Sequence, residues 1–201
     1  MHKQKKSNVE ASSGKKKMLK PKGRTKACLI CLLMIILATF IGGRRSLPKL
    51  RNEALELFFN GDGTTLDLGI EHDLEERITL AKRLIVVGGR YFDKDNALLT
   101  NITSDCSKIS GSNEPNVKYK YNEELTSDCY ALVEALDLIT LSSDDENYVV
   151  DIMVGMESAN QIIGHSSYNS EATEFNRLLE EFPTNIVAKL SFVKPLALFD
   201  Y

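Results

Sequence analysis

Seventeen consecutive residues, Ala27 to Gly43 (ACLICLLMIILATFIGG), carry no charge and offer no polar face. As a helix, at about 1.5 Å per residue, they reach roughly 25 Å, the short end of a membrane crossing. A core helix of a soluble domain would keep a solvated stripe. The spacing therefore predicts a transmembrane helix. The rival reading is a cleaved signal peptide. It is disfavoured by the long segment ahead of the apolar run and by the lack of a clean small-x-small site before Arg44. Cys28 and Cys31 lie within the first turns of the run, so no lipoprotein cysteine follows it.

The charge is divided around this segment. Residues 1–26 hold ten Lys and Arg against Glu10 alone, about +9, although the whole chain carries -3. The remainder must then carry about -12. A basic, Ser- and Gly-containing tail with almost no apolar side chains cannot bury a core, so disorder is expected there. Such a tail fixes orientation, contacts anionic lipid headgroups or binds nucleic acid. No aromatic residue is interleaved with the lysines, and an apolar segment follows directly. Orientation with lipid contact is the reading, and no nucleic-acid partner is expected. Four basic residues follow the segment closely (Arg44, Arg45, Lys49, Arg51). The larger cluster stays cytosolic by the positive-inside bias. This divides the chain into a cytoplasmic tail (1–26), a single membrane pass (27–43) and an extracytoplasmic domain (44–201).

Within that domain the apolar residues recur at helical intervals. Leu50, Ala54, Leu57 and Phe58 predict a helix after a Gly-Gly-Arg-Arg joint, with Pro48 in its first turn. Asn60 to Gly69 reads as a loop. Asp73-x-x-Glu76 reads as a capping box for a helix with Leu74, Ile78, Ala81, Leu84, Ile85 and Val87 on its stripe. Leu98, Ile102, Cys106 and Ile109 form the next stripe. Gly111-Ser112-Asn113 ends it, and Pro115 opens a helix carrying Val117, Tyr121, Leu125, Cys129, Leu132, Leu136 and Ile139. Ser143-x-x-Glu146 reads as a second capping box, opening a helix that continues to Phe182 with a kink near Gly155 or Gly164. No stretch sustains period-two alternation. The economical architecture is all-α: an antiparallel bundle of about four long helices behind one membrane helix.

The C-terminal run, Tyr168 to Phe199, ends that last helix. Tyr168, Ala172, Phe175, Leu178, Leu179 and Phe182 share a face, Pro183 stops the helix, and Thr184 or Asn185 is placed to cap a short helix over 186–190. The tail with Phe192, Pro195 and Phe199 reads as a strap folded back on the bundle. Tyr168-Asn169, Phe175-Asn176, Phe182-Pro183, Asn185, Ala188, Phe192 and Phe199, in that order and spacing, resemble the C-terminal signature of the LemA family of bacterial membrane-anchored helical proteins. The second Tyr-Asn of the family is Phe-Asn here. A weaker echo runs through Arg77, Leu80, Leu84, Ile85 and Tyr91, with Lys82-Arg83 where the family often has Pro-Asn. The resemblance implies a helical bundle behind one N-terminal anchor. It gives Tyr168, Asn169, Phe175, Asn176, Phe182, Pro183, Asn185, Phe192 and Phe199 a structural role in packing and capping.

Signals for chemistry are sparse. Cys28-x-x-Cys31 lacks a second ligand pair and sits in hydrocarbon. Cys106 and Cys129 fall on apolar stripes and are expected to be free buried thiols, because a hairpin turning at Gly111 would offset them by about 20 Å. His165 beside Ser166, Ser167 and Glu157 can be drawn as a catalytic cluster, yet serines one and two residues on do not face a helical histidine. The acidic pairs Glu75-Glu76, Glu123-Glu124, Asp144-Asp145 and Glu180-Glu181 lack the Glu-x-x-His of di-iron bundles. Asn60, Asp62 and Asp67 lack the remaining positions of a calcium loop. No cofactor, metal or catalytic residue is expected. The functional reading is a non-enzymatic, membrane-tethered scaffold that binds an envelope protein or itself. The alternative is an envelope-facing enzyme or ligand-binding domain with its site near His165.

Overall fold

A computed structural model of the chain describes residues 22–64 and 67–199. Among them are seven α-helices and no strand: α1 (Lys22–Asn60), α2 (Ile70–Gly88), α3 (Ala97–Ser110), α4 (Pro115–Asp137), α5 (Ser143–Gly164), α6 (Ser167–Glu180) and α7 (Thr184–Leu190). The expectation of a disordered tail falls mostly on residues 1–21, outside the described residues. The helix already begins at Lys22, so residues 22–26 do not belong with a disordered tail.

Two compact units divide the chain, Met1–Thr39 and Phe40–Tyr201. The first holds the apolar turns of α1, where Leu29, Leu33, Ile35 and Ile36 are all exposed. The helix is long and apolar enough to cross a membrane: its apolar window has a mean hydropathy of 2.3 and is 0 % buried. The expected joint at Gly42–Arg45 is absent. α1 continues through Pro48, which lies inside the helix rather than in a first turn. Proline there forfeits the bond to the carbonyl of Arg44. Burial of Leu47, Ala54 and Phe58 along one face of α1 offsets that loss.

In the second unit α2 packs on α3, α4 and α5, and α3 and α4 form a hairpin. Gly155 of α5 meets Leu80, and Tyr91, just beyond α2, meets Asp145 near the start of α5. The two helices are therefore antiparallel. Lys118 of α4 meets Glu71 near the start of α2, so these two run parallel. The core joins Leu74, Ala81, Leu84, Ile102, Ile109, Leu125, Leu132 and Ile152. Gly88 permits the close approach of α3 and α4, since a Cβ there would lie 2.8 Å from Leu99 and 3.3 Å from Leu132.

Several boundaries depart from the expected ones. α2 opens at Ile70 with Gly69 as its N-cap, so Asp73 and Glu76 are not a capping box; Asp73 is buried inside the helix. The second cap falls one residue early: Ser142 Oγ accepts from the Asp145 amide at 3.2 Å. Ser143 to Phe182 is not one helix. It breaks after Gly164, whereas α5 passes through Gly155 uninterrupted. α7 starts at Thr184 with Pro183 as N-cap and no side-chain cap bond, so neither Thr184 nor Asn185 caps it. On α4 the buried face runs Lys118, Asn122, Leu125, Cys129, Leu132, Leu136, while Val117 and Ile139 are exposed.

Candidate functional site

The most organised polar construction in the second unit holds the C-terminal strap. Residues 193–199 have no regular structure, so their backbone groups need partners from elsewhere. Asparagine supplies them, since one amide offers both donor and acceptor. Asn176 donates to the Leu196 carbonyl and accepts from the Leu196 amide, both at 2.8 Å. Asn169 donates to the Phe199 carbonyl (3.0 Å) and accepts from its amide (2.8 Å). Asn116, from the first turn of α4, donates to the Pro195 carbonyl and accepts from the Ala197 amide, both at 3.0 Å. The Tyr168 hydroxyl donates to the Ala197 carbonyl at 2.9 Å.

Apolar contacts lock the same segment. Phe199 is fully buried and packs against Phe58 (5.6 Å between centroids) and Tyr119 (5.2 Å, edge to face). Tyr168 meets Phe58 at 5.1 Å. Burial pushes the Tyr168 hydroxyl well above its ordinary pKa, which keeps it a donor. Phe175, on α6, is buried as well.

The break between α5 and α6 is itself stapled. Ser166 is the N-cap of α6, accepting from the Tyr168 amide at 3.3 Å. Asp67 reaches across from the preceding loop: it accepts from the Ser167 amide at 2.8 Å and the Ser167 hydroxyl at 2.6 Å. A carboxylate at a helix N-terminus is favoured by the helix dipole. Burial acts to raise its pKa, but the bonds from Ser167, Gly69 and Ser166 outweigh that and hold it below the usual carboxylate value. Asn169 ties the same corner by donating to the Ile163 carbonyl at 2.8 Å.

A third polar cluster lies in the core. Arg77 is fully buried and donates to Asn122 Oδ1 (2.8 Å), the Met156 carbonyl (2.9 Å), Thr126 Oγ1 (2.6 Å) and Asn160 Oδ1, joining α2, α4 and α5. Lys118, also buried, donates to Glu71 and to the Ile109 carbonyl at 2.8 Å. At the far end of α2, Asp145 accepts from Tyr91 (2.6 Å), Ser142 (2.9 Å) and Arg90. The Tyr91 bond leads in depressing the Asp145 pKa.

Of the residues expected from the sequence, Tyr168, Asn169, Phe175, Asn176 and Phe199 converge on the strap. Phe182 and Phe192 do not pack; they are 80 % and 88 % exposed. Pro183 is exposed beside Phe182. Asn185 lies in α7, its side-chain oxygen buried with no partner among the described residues. His165 terminates α5, exposed, its ring bonded to the Gln161 carbonyl at 2.7 Å. The drawn cluster with Ser166 and Ser167 does not form, because both hydroxyls turn to Asp67. A shallow depression touches His165 and Asp67 but not Tyr168 or Glu157. Cys106 and Cys129 are free and buried, and burial pushes their thiols up to about 11 and about 12. Lys108 of α3 lies over the Tyr121 ring of α4 at 4.4 Å, a register that brings Cys106 and Cys129 closer in level than the expected offset of about 20 Å. Among the described residues no three His, Cys, Asp or Glu side chains gather as a metal set. Sequence reasoning missed Asn116, Lys118 and Asn122, and it weighed Asp67 only as part of a calcium loop, not as the partner of Ser167. The signal for two of them was present: Lys118 and Asn122 continue backwards the three-and-four spacing of Leu125, Cys129, Leu132 and Leu136.

A family model described as LemA family matches residues 68–201. No match was found among curated proteins or among solved structures.

Proposed function

The chain belongs to the LemA family, and from that premise we propose that it is a membrane-anchored, non-enzymatic interaction module of a bacterial cell envelope. α1 crosses the bilayer once, the basic N-terminus stays in the cytoplasm on anionic lipid, and the bundle faces the extracytoplasmic side. The observation that carries the anchoring is the outward display of Leu29 to Ile41 on α1, most of it half or more exposed. Apolar area of that size is driven out of water, by about 25 cal/mol per Å2.

Two features support interaction over catalysis. The polar groups with chemical potential are spent on architecture: Ser166 and Ser167 on Asp67, and the asparagines on the strap. Large apolar side chains are meanwhile left outside, with Val150 at 56 % and Val154 at 65 % exposed one turn apart on α5. A face of this kind suits an envelope protein or a second copy of the chain.

The test has two arms. Alkaline carbonate washing of membranes should leave the full chain in the pellet, and Leu33→Arg with Ile36→Arg should release it. A photo-crosslinking residue at Val154 should give a discrete adduct in intact cells that Val150→Lys abolishes. Release of the unaltered chain by carbonate contradicts the anchor, and the lack of an adduct at Val154, or one that Val150→Lys leaves unchanged, contradicts the interaction face.

A further inference from the structure

We propose that the segment 182–192, comprising α7 and its flanking phenylalanines, is a lipid-interface element that dips into the bilayer crossed by α1. The proposal rests on the membrane anchoring given above. Within the second unit α7 packs against α1 at Gly43, the last uncharged residue before Arg44. A Cβ on Gly43 would lie 2.9 Å from Val187, so the two helices touch at this level only because no side chain intervenes. Val187 and Ala188 are the inward side of α7 and are buried. The outward side carries Ile186 (50 % exposed) and Leu190 (60 %), bracketed by Phe182 and Phe192.

The exposure of Phe192 is built rather than incidental. Its φ is 55°, the left-handed region where glycine is the ordinary occupant of a helix C-terminus. The Val193 amide donates to the Ala188 carbonyl at 3.0 Å, and the Phe192 amide donates to the Lys189 carbonyl at 3.3 Å, closing a Schellman turn. A large aromatic at the one position that disfavours it, held outward, needs a compensating partner.

Position and chemistry identify that partner. On α1 the charge-free run ends at Gly43, and exposed Arg44 and Arg45 follow, as they would at the headgroup level of a bilayer. Lys189 on α7 and Lys194, two residues beyond the segment, are both exposed and carry the same charge. Aromatic and aliphatic residues interleaved with Lys and Arg, at the boundary of a membrane helix, are the composition of an interfacial segment. The phenylalanines reach the acyl boundary and the lysines the headgroups.

The chain has no tryptophan, so each single-tryptophan variant reports one position. Full-length Phe192→Trp, Phe182→Trp and Leu138→Trp are reconstituted into phosphatidylcholine–phosphatidylglycerol vesicles, with and without bromine on the acyl chains. Leu138, at the C-terminal end of α4, is 87 % exposed and serves as the matched control. Phe192→Trp and Phe182→Trp should emit at shorter wavelength and lose most of their intensity to brominated lipid; Leu138→Trp should emit as a water-exposed indole and keep its intensity. Equal quenching at positions 192 and 138, in vesicles that carry the protein on flotation, overturns the lipid contact and leaves the anchor intact. Failure of the unaltered chain to float with vesicles overturns the anchor and this proposal with it.

Discussion

Replacing Arg77 with methionine keeps much of the volume of the side chain and removes its charge and all its donors. Four acceptors lose a partner: Asn122 Oδ1, Asn160 Oδ1, the Met156 carbonyl and Thr126 Oγ1. Thr126 still donates to the Asn122 carbonyl at 2.8 Å, so its cost is the smallest. Each buried acceptor left bare costs about 1–3 kcal/mol, and relaxation recovers part of that sum, leaving a loss of about 4 kcal/mol. With a denaturant slope of about 2 kcal/mol/M, the urea midpoint should fall by about 2 M. Near-ultraviolet circular dichroism of the full chain in mild detergent reads the bundle, where Phe58, Tyr119, Tyr168 and Phe199 pack together, while the apolar run 27–43 of α1 adds only Phe40. The double variant Arg77→Met with Asn160→Leu should recover part of the loss, because one orphaned acceptor is gone. A midpoint shift below about 0.5 M for Arg77→Met would show that the guanidinium does not hold α2, α4 and α5 together.

Asn176→Ala strips the Leu196 amide and carbonyl of their shared partner; at about 2 kcal/mol, amide exchange at Leu196 should quicken roughly 30-fold, as hydrogen-exchange mass spectrometry would show. Asp67 has a depressed pKa in the fold, so its contribution is complete above the ordinary carboxylate pKa and is lost as pH falls through the folded value; Asp67→Asn should flatten the acid limb of a stability–pH curve. Asp73 is shifted the other way, chiefly by burial. Its contribution is present at low pH and is lost as pH rises through the folded value, so Asp73→Asn should leave stability at neutral pH unchanged or higher. Cys106 and Cys129, with pKa values raised to about 11 and about 12, should resist a soluble disulfide reagent at neutral pH in the native protein and react promptly in urea.

The helices were legible because apolar spacing is a local signal. Leu74, Ile78, Ala81, Leu84 and Val87, Ile102 to Ile109 and Leu125 to Leu136 are buried where the spacing put them, while Ile85 and Leu98 are only partly buried. Glycine and proline punctuation placed the turn before Pro115, and the expected tail strap lies against Phe58 and Tyr119. What escaped depends on partners far away in sequence. Arg77 sits on an apolar stripe and reads as an exception until Asn122 and Asn160 are brought to it. Asn116 looks like a surface residue of a first turn, and its partners are some eighty residues later. The Gly-Gly-Arg-Arg stretch looks like a joint by composition, yet α1 runs through it, since packing outweighs local propensity. Phe182 matches the apolar spacing and Phe192 is expected in the strap, yet both point outward, because α6 ends at Glu180 and α7 at Leu190, before either residue.

The most direct test of the anchored, outward-facing bundle is labelling of intact cells with an impermeant maleimide, using Asn60→Cys and Ser7→Cys. Asn60 is exposed at the end of α1. The native thiols contribute little background, since Cys106 and Cys129 are buried and Cys28 and Cys31 lie in the apolar run. Labelling at Asn60→Cys with protection of Ser7→Cys is the expected result. Labelling at Ser7→Cys alone would place the bundle in the cytosol and contradict the orientation, and recovery of Asn60→Cys from the medium would contradict the anchor.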